Sequence, residues 1–217
     1  MIVIPWQGPS GQPYTRAELE AMVNPTMPNQ PEAVPWALYD QQNLTTAVAT
    51  PNGFFIAQNA DKTLSNLEGP GQLPDPQYFI VHYASCDIQQ IPVATALANE
   101  PNSALANVEN ILKTCRTTFE FSMSNKLYGP FPLSMCHATG GATGSGFGYG
   151  TAANGTSTFV VNNGIPGSGG FPFAGALVIP PKIGFSITLR NTTAYTLVGG
   201  PIGARMTLVG TLYRRVA

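Results

Sequence analysis

Charge is the scarcest feature of this sequence. Only 10 % of the 217 residues are charged, against about 25 % in an average soluble domain, and the net charge is −1. Nucleic-acid binding needs a basic stripe, yet the only adjacent basic pair is Arg214–Arg215. We therefore expect no strong nucleic-acid binding. A chain with so little charge either hides much of its surface against partners or relies on Thr, Asn and Ser for solvation.

Long apolar runs and cysteines are also scarce. No stretch of about 18 apolar residues is present, so no transmembrane segment is expected. The first residues lack the basic region and the apolar core of a secretory signal. The three cysteines, Cys86, Cys115 and Cys136, are too few for a disulfide scaffold. We expect them to be reduced and mostly buried, consistent with synthesis in a cytoplasm.

Proline and glycine are abundant, and seven prolines fall within residues 1–36. Proline removes backbone donors and is excluded from helix interiors and central strands, so this range is interpreted as an extended N-terminal arm. One short helix is expected in it, because residues 15–18 have capping-box form. The arm carries Trp6 and Trp36, and we expect it to lie on its own domain or on a neighbouring subunit.

Residues 37–217 are interpreted as the body of the protein, and alternation of apolar and polar residues predicts strands in it. The clearest alternating runs are 118–124, 185–190 and 206–213. Other strands are predicted at 54–57, 77–88, 131–136, 158–161 and 176–180, and a helix is predicted at 102–113. In the strand over 77–88, Ile80 and Cys86 are predicted to share one face. The fold class is therefore all-β: an eight-stranded antiparallel β-sandwich, a single jelly roll, with one or two short helices.

A glycine-rich excursion spans residues 140–175 and holds 12 of the 23 glycines. Phe147, Tyr149, Phe171 and Phe173 stand in it. Such aromatics fit either a sugar-binding platform or the anchors of a subunit interface. The low charge of the chain favours the subunit interface, because it is a separate indication that part of the surface is buried against partners.

The residues that carry enzyme chemistry are sparse. With only two histidines and no paired Cys or His spacing, neither a zinc site nor a Cys–His nucleophile is indicated. The glycine run at 144–150 lacks the Lys and the register of a phosphate-binding loop, and no Gly-x-Ser-x-Gly occurs. Asp61 and Asp75 could contribute to a calcium loop, but no Asp-x-Asp pattern supports one. We expect no enzyme, metal or cofactor.

The Pro-rich arm, the β-rich body, the helix between early strands and the low-charge Thr/Asn/Gly surface resemble single jelly-roll capsid proteins of tailless icosahedral viruses. The closing runs, 179–189 and 206–216, are similar to the ends of bacteriophage structural proteins. The resemblance implies a self-assembling capsid subunit that is made in the host cytoplasm and located in the virion. Many such proteins have a basic arm, whereas this arm contains a single Arg, Arg16.

The partners implied by the resemblance are copies of the chain and minor capsid proteins. Because the arm is not basic, the resemblance also implies genome neutralisation by something else, or a membrane or second protein layer beneath the shell. The alternative function is a carbohydrate- or receptor-binding sandwich, such as a lectin-like module or a virion attachment head. The predicted subunit-interface residues are Trp6, Trp36, Phe147, Tyr149, Phe171, Phe173, Arg214 and Arg215.

Overall fold

The computed structural model describes residues 32–44, 52–90, 116–136, 170–194 and 202–214, with single positions 17, 18, 21 and 111. These residues form two antiparallel β-sheets around a hydrophobic core, which confirms the expected all-β sandwich. In chain order, the strands are β1 (Glu32–Leu44), β2 (Asn52–Phe54), β3 (Tyr78–Gln90), β4 (Thr118–Met123), β5 (Lys126–Pro132), β6 (Phe171–Ile179), β7 (Phe185–Arg190) and β8 (Ile202–Arg214).

Each sheet has four of these strands. The first sheet has the order β1-β8-β3-β6, and the second has the order β2-β7-β4-β5. Consecutive strands therefore alternate between the sheets, except that β4 and β5 form a hairpin through Ser124 and Asn125. Ser124 has a φ of 55°, the left-handed conformation that a two-residue hairpin turn favours.

The strands with clear alternation face the core as predicted. In β7, Phe185, Ile187 and Leu189 are buried, while the residues between them are partly exposed. In β4 and β8 the alternation holds only in part. Phe119, Phe121, Met206, Leu208 and Leu212 are buried core residues, but Glu120, Thr211 and Tyr213 on the opposite faces are buried as well. One face of each strand thus supplies the core of the sandwich.

β1 begins at Glu32, inside the range that was interpreted as the arm. It is an edge strand that pairs only with β8, and Pro35 lies opposite Thr211. Tyr39 and Gln41 donate their N–H groups to the side away from β8, and Pro35 has the same parity. Proline therefore costs no bond to β8, which is why the edge strand tolerates it.

β3 contains a β-bulge between Val81 and Tyr83. The core residues are odd-numbered before the bulge and even-numbered after it: Phe79, Val81, Ala84, Cys86 and Ile88. The prediction that Ile80 and Cys86 share one face is therefore wrong, because the extra residue shifts the alternation by one position.

Gly210 lies opposite this bulge, paired with Val81. A Cβ at Gly210 would come within 1.9 Å of the Ile80 carbonyl oxygen. The close approach of the two backbones therefore requires glycine at this position of β8.

The second half of the predicted strand at 131–136 is a different structure. β5 ends at Pro132, and Leu133–Met135 form a 3-10 turn. β5 is again an edge strand, so that Pro130 and Pro132 are accommodated. β6 starts at Phe171, earlier than the predicted 176.

The other predicted elements lie largely outside the described residues. They are the strand at 158–161, the helix at 102–113 apart from the buried Ile111, and the helix of the arm apart from Ala17, Glu18 and Ala21. These last three residues have helical backbone and exposed side chains.

Candidate interaction surface

Phe171 and Phe173 lie between the sheets rather than on the surface. Phe173 is only 6 % exposed, and Phe171 packs partly buried against the core. The two rings belong to a cluster with Phe119, Phe121 and Phe131, in which ring centroids are 4.7–6.5 Å apart. Their prediction as subunit-interface anchors is therefore corrected: the alternation of β6 directs both side chains to β4 and β5 of the other sheet.

Trp36 and Arg214 are exposed near one end of the first sheet. Trp36 is 41 % exposed and lies opposite Gly210 on β1. Arg214 forms an ion pair with Glu32 at 2.9 Å, and both side chains are about half exposed. Both residues are therefore accessible to a partner, and the ion pair itself contributes little to stability. The remaining predicted interface residues, Trp6, Phe147, Tyr149 and Arg215, lie outside the described residues.

The outer edge of β1 is partly covered by the connection that follows β2. Asn66 accepts the Tyr39 N–H through Oδ1 at 2.9 Å and donates through Nδ2 to the Ala37 carbonyl oxygen at 2.7 Å. Gln41 N–H donates to the Leu64 carbonyl oxygen at 2.9 Å. Covering a strand edge in this way prevents it from pairing with another chain. Sequence reasoning missed Asn66, because it lies too far from Tyr39 in the chain to leave a local signal.

Two buried carboxylates have structural partners. Asp40 is 1 % exposed and accepts the backbone N–H of Phe55 at 2.7 Å, which ties β1 to the end of β2. Glu120 is 8 % exposed and pairs with Arg190 across β4 and β7. All the buried side-chain nitrogens and oxygens of the described residues have a hydrogen-bond partner. These carboxylates therefore hold the fold together.

The acids that could have joined a calcium loop are engaged by neighbours. Asp61 Oδ1 accepts the Thr63 hydroxyl at 2.7 Å and the Thr63 N–H at 2.9 Å, and these bonds, the hydroxyl first, lower the pKa of Asp61. Asp75 forms an exposed ion pair with Lys182 at 2.7 Å. Within the described ranges, no three His, Cys, Asp or Glu side chains are grouped to hold a metal ion.

The two ends of the sandwich carry very different connections. At one end, which we call the turn end, β2–β3, β4–β5 and β6–β7 are joined by segments 55–77, 124–125 and 180–184. At the opposite end, which we call the long-connection end, the described strands stop and start again on either side of 45–51, 91–117, 133–170 and 191–201.

The charged residues are distributed unevenly between these two sets of segments. The segments of the long-connection end are together more than twice as long as those of the turn end. They nevertheless hold fewer charged residues, all within 91–117: Glu100, Glu109, Lys113 and Arg116. The shorter turn-end segments hold Asp61, Lys62, Glu68, Asp75 and Lys182.

The turn end is tied together by its own backbone. The Lys182 N–H donates to the Leu73 carbonyl oxygen at 2.9 Å, and the Phe185 N–H donates to the Gly71 carbonyl oxygen at 2.8 Å. The Ser124 N–H donates to the Gly184 carbonyl oxygen at 2.8 Å. These bonds link the three turn-end segments to one another.

The long-connection end is described only in part, at residues 111, 116–117, 133–136, 170 and 191–194. Ser134, Met135 and Thr193 are exposed there, and Met135 is 53 % exposed. Three of its four segments contain no Asp, Glu, Lys or Arg. Depletion of charge is a property of the buried centre of protein interfaces, so this end is the candidate interaction surface.

Comparison with protein-family models, with curated proteins and with solved structures found no match. In the part of the chain that the structure describes, no helix is long and apolar enough to cross a membrane.

Proposed function

We propose that the sandwich is a single jelly roll. The support is its strand pairing: β1 pairs with β8, β2 with β7, β3 with β6 and β4 with β5, all antiparallel. The strands thus pair from the outermost to the innermost along the chain, as in a long hairpin wrapped around a core. Two further pairs complete the sheets: β3 with β8 joins the pairs β1–β8 and β3–β6, and β4 with β7 joins the pairs β2–β7 and β4–β5. Viral capsid proteins and lectins share this arrangement.

On this fold we propose that the protein is a self-assembling capsid subunit of an icosahedral virus or bacteriophage. The observation that carries the proposal is the jelly-roll pairing combined with the collection of long, nearly uncharged connecting segments at one end. Copies of the chain associate through that end, and cyclic symmetry closes the assembly. The arm before β1 extends to neighbouring copies. Minor capsid proteins and a layer beneath the shell remain part of this proposal.

Lectin-like binding is the competing function, because lectins use the same fold class. The sugar-binding platform proposed for it consisted of four aromatic residues. Of these, Phe173 is buried in the core and Phe171 packs partly buried against it. The same two rings are also lost to the capsid interface, so the preference for the capsid function rests on the scarcity of charged residues.

The experiment places charge at each end and measures assembly. The test variant carries Ser134→Lys and Thr193→Lys, two exposed positions of the long-connection end. The matched control carries Asn125→Lys and Gln72→Lys, two exposed positions of the turn end. Burying an uncompensated charge in an interface costs several kcal/mol, so we expect the test variant to lose particles at least 10-fold.

Size-exclusion chromatography and negative-stain microscopy measure the particle yield, and the unfolding temperature of each variant shows whether the subunit is folded. We expect the control to assemble like the parent chain. Equal assembly by the folded test variant would contradict the assignment of the interface to this end. A discrete monomer or trimer that is stabilised by sugars would instead support the lectin-like function.

A further inference from the structure

Cys86 and Cys136 lie side by side, although they are far apart in the chain. The Cys86 N–H donates to the Cys136 carbonyl oxygen at 3.3 Å. β6 pairs with β3 only as far as the Phe171–Ala84 pair, and Cys136 extends this edge of β3 where the pairing of β6 ends. The chain that leaves β5 of the second sheet is thus attached to β3 of the first.

This backbone contact makes the two cysteines neighbours, and the Cys136 thiol is near enough to raise the pKa of Cys86. Disulfides usually span Cα separations of about 4.4–6.8 Å. Both side chains are fully buried in the same core cluster, and neither cysteine is in a disulfide.

The surroundings of the two thiols keep them protonated. Burial raises the pKa of Cys136 to about 12, and a hydrogen bond from the Phe171 backbone opposes this only in part. Burial also raises the pKa of Cys86 well above its ordinary value, and the neighbouring Cys136 and Asp87 raise it further. Because the thiolate is the reactive form, both thiols react slowly while the fold is closed.

We propose that Cys86 and Cys136 are a modification site: a protected thiol pair that oxidises to one disulfide between β3 and the end of the turn that follows β5. The oxidant is a small-molecule disulfide of the glutathione class, which enters when the 3-10 turn at Leu133–Met135 opens. Both cysteines lie within one subunit, and the turn that opens belongs to the long-connection end, so the reaction is tested on the unassembled chain.

The reaction proceeds by two exchanges. One cysteine loses its proton to solvent, and its thiolate attacks a sulfur of the oxidant, which forms a mixed disulfide and releases one glutathione thiolate. The second cysteine thiolate then attacks the protein sulfur of that mixed disulfide, forms the Cys86–Cys136 bond and releases the second glutathione. Two protein thiols are oxidised, the oxidant is reduced to two thiols, and the two protons go to solvent or to these products.

The test uses the full chain with Cys115→Ser, so that only the proposed pair can react. The protein is incubated with oxidised glutathione at pH 8.5, in urea series below its unfolding midpoint, and its intact mass is measured. We expect a loss of about 2 Da, one cross-linked peptide pair containing Cys86 and Cys136, and reversal by reductant. The closed loop constrains the unfolded chain, so the unfolding temperature should rise by roughly 5–15 °C.

The control adds Cys136→Ser to this chain and should form no intramolecular cross-link. If it does not fold, the comparison of oxidised and reduced Cys115→Ser protein still decides. Persistent glutathione adducts of about 305 Da each without a cross-link would overturn the proposal. So would unreacted thiols just below the unfolding midpoint, or a cross-link that leaves the unfolding temperature unchanged or lower.

Discussion

The turn end and the long-connection end of the sandwich use their residues in opposite ways. The turn end joins strands with short segments that include five charges, and it ties these three segments together by backbone hydrogen bonds. The long-connection end uses much longer segments with only four charges. The turn end is therefore closed by contacts within the chain, whereas the proposed association uses the other end together with the arm before β1.

Truncation at the N-terminus should produce the largest effect on assembly and stability, because it removes the arm and, in the longer truncation, the first five residues of β1. Removing residues 1–31 keeps β1 whole, and we expect a folded subunit that assembles poorly. Removing residues 1–36 also deletes the partners of Gly210–Arg214 and uncovers Leu212 and Tyr213. This should cost roughly 3–5 kcal/mol of unfolding free energy.

Urea unfolding and size-exclusion chromatography of the two truncated chains measure this difference. Equal stability of the two chains would show that residues 32–36 are not part of the folded sheet. Normal particles from the shorter truncation would remove the proposed role of the arm.

Gly71→Ala should weaken the turn end without a specific effect on assembly. Gly71 has a φ of 61°, and an added Cβ would lie 2.9 Å from the Phe55 carbonyl oxygen. We expect a loss of about 2–3 kcal/mol, measured by urea unfolding. Gly184→Ala is the matched control at the same end, since its Cβ would meet nothing within 4 Å. A similar loss in both variants would contradict the account of the Gly71 turn.

Alkaline pH should weaken the core beneath the long-connection end, where Cys136 and Cys86 are buried. Their raised pKa values mean that the unfolded chain ionises first, from about pH 9, while the folded chain keeps its protons up to about pH 12 at Cys136. Stability contributed at neutral pH is therefore lost as the pH rises, by up to about 1.4 kcal/mol per pH unit for each thiol. Urea unfolding between pH 8 and 10.5 measures this slope. Cys136→Ala should make it shallower, and an unchanged slope would show that this thiol does not titrate on unfolding.

Thr63→Val should give the smallest effect, confined to one surface turn of the turn end. Because both Thr63 bonds lower the pKa of Asp61, losing the hydroxyl should raise that pKa toward 3.8. The favourable contribution of Asp61 exists above its ordinary pKa and is lost as the pH falls through the folded value. NMR titration of the Asp61 carboxyl measures the change. Thr63→Ser keeps the hydroxyl and should retain the lowered pKa, whereas an identical pKa in both variants and the parent would contradict this assignment.

The sequence predicted those parts of the fold in which one face of a strand is buried and the other face is exposed to solvent. β7 shows this alternation throughout, whereas in β4 and β8 Glu120, Thr211 and Tyr213 of the opposite faces are also buried. The sequence did not predict the first part of β1, because Pro35 argued against a strand there. Proline is incompatible with a central strand, but an edge strand such as β1 tolerates it. The bulge in β3 could not be predicted from the sequence. It depends on the pairing of Val81 with Gly210, which is distant in the chain and forms only in the folded sheet.

The candidate site was predicted less completely. Phe171 and Phe173 stand in a glycine-rich context that suggested a surface loop, yet the sheet extends to Phe171 and turns both rings inward. The contact between Cys86 and Cys136 joins β3 to the end of the turn that follows β5 and leaves no periodic signal in the sequence. The sequence shows that charged residues are scarce. Only the strand topology shows that the segments without charge begin and end at the same end of the sandwich.

Negative-stain microscopy of the purified parent chain, after size-exclusion chromatography, shows directly whether the chain self-assembles. We expect particles of one diameter, or large uniform capsomers, eluting well ahead of a 22.9 kDa monomer. A single peak at the monomer position with no particles, over the whole range of protein concentration used for assembly, would contradict it.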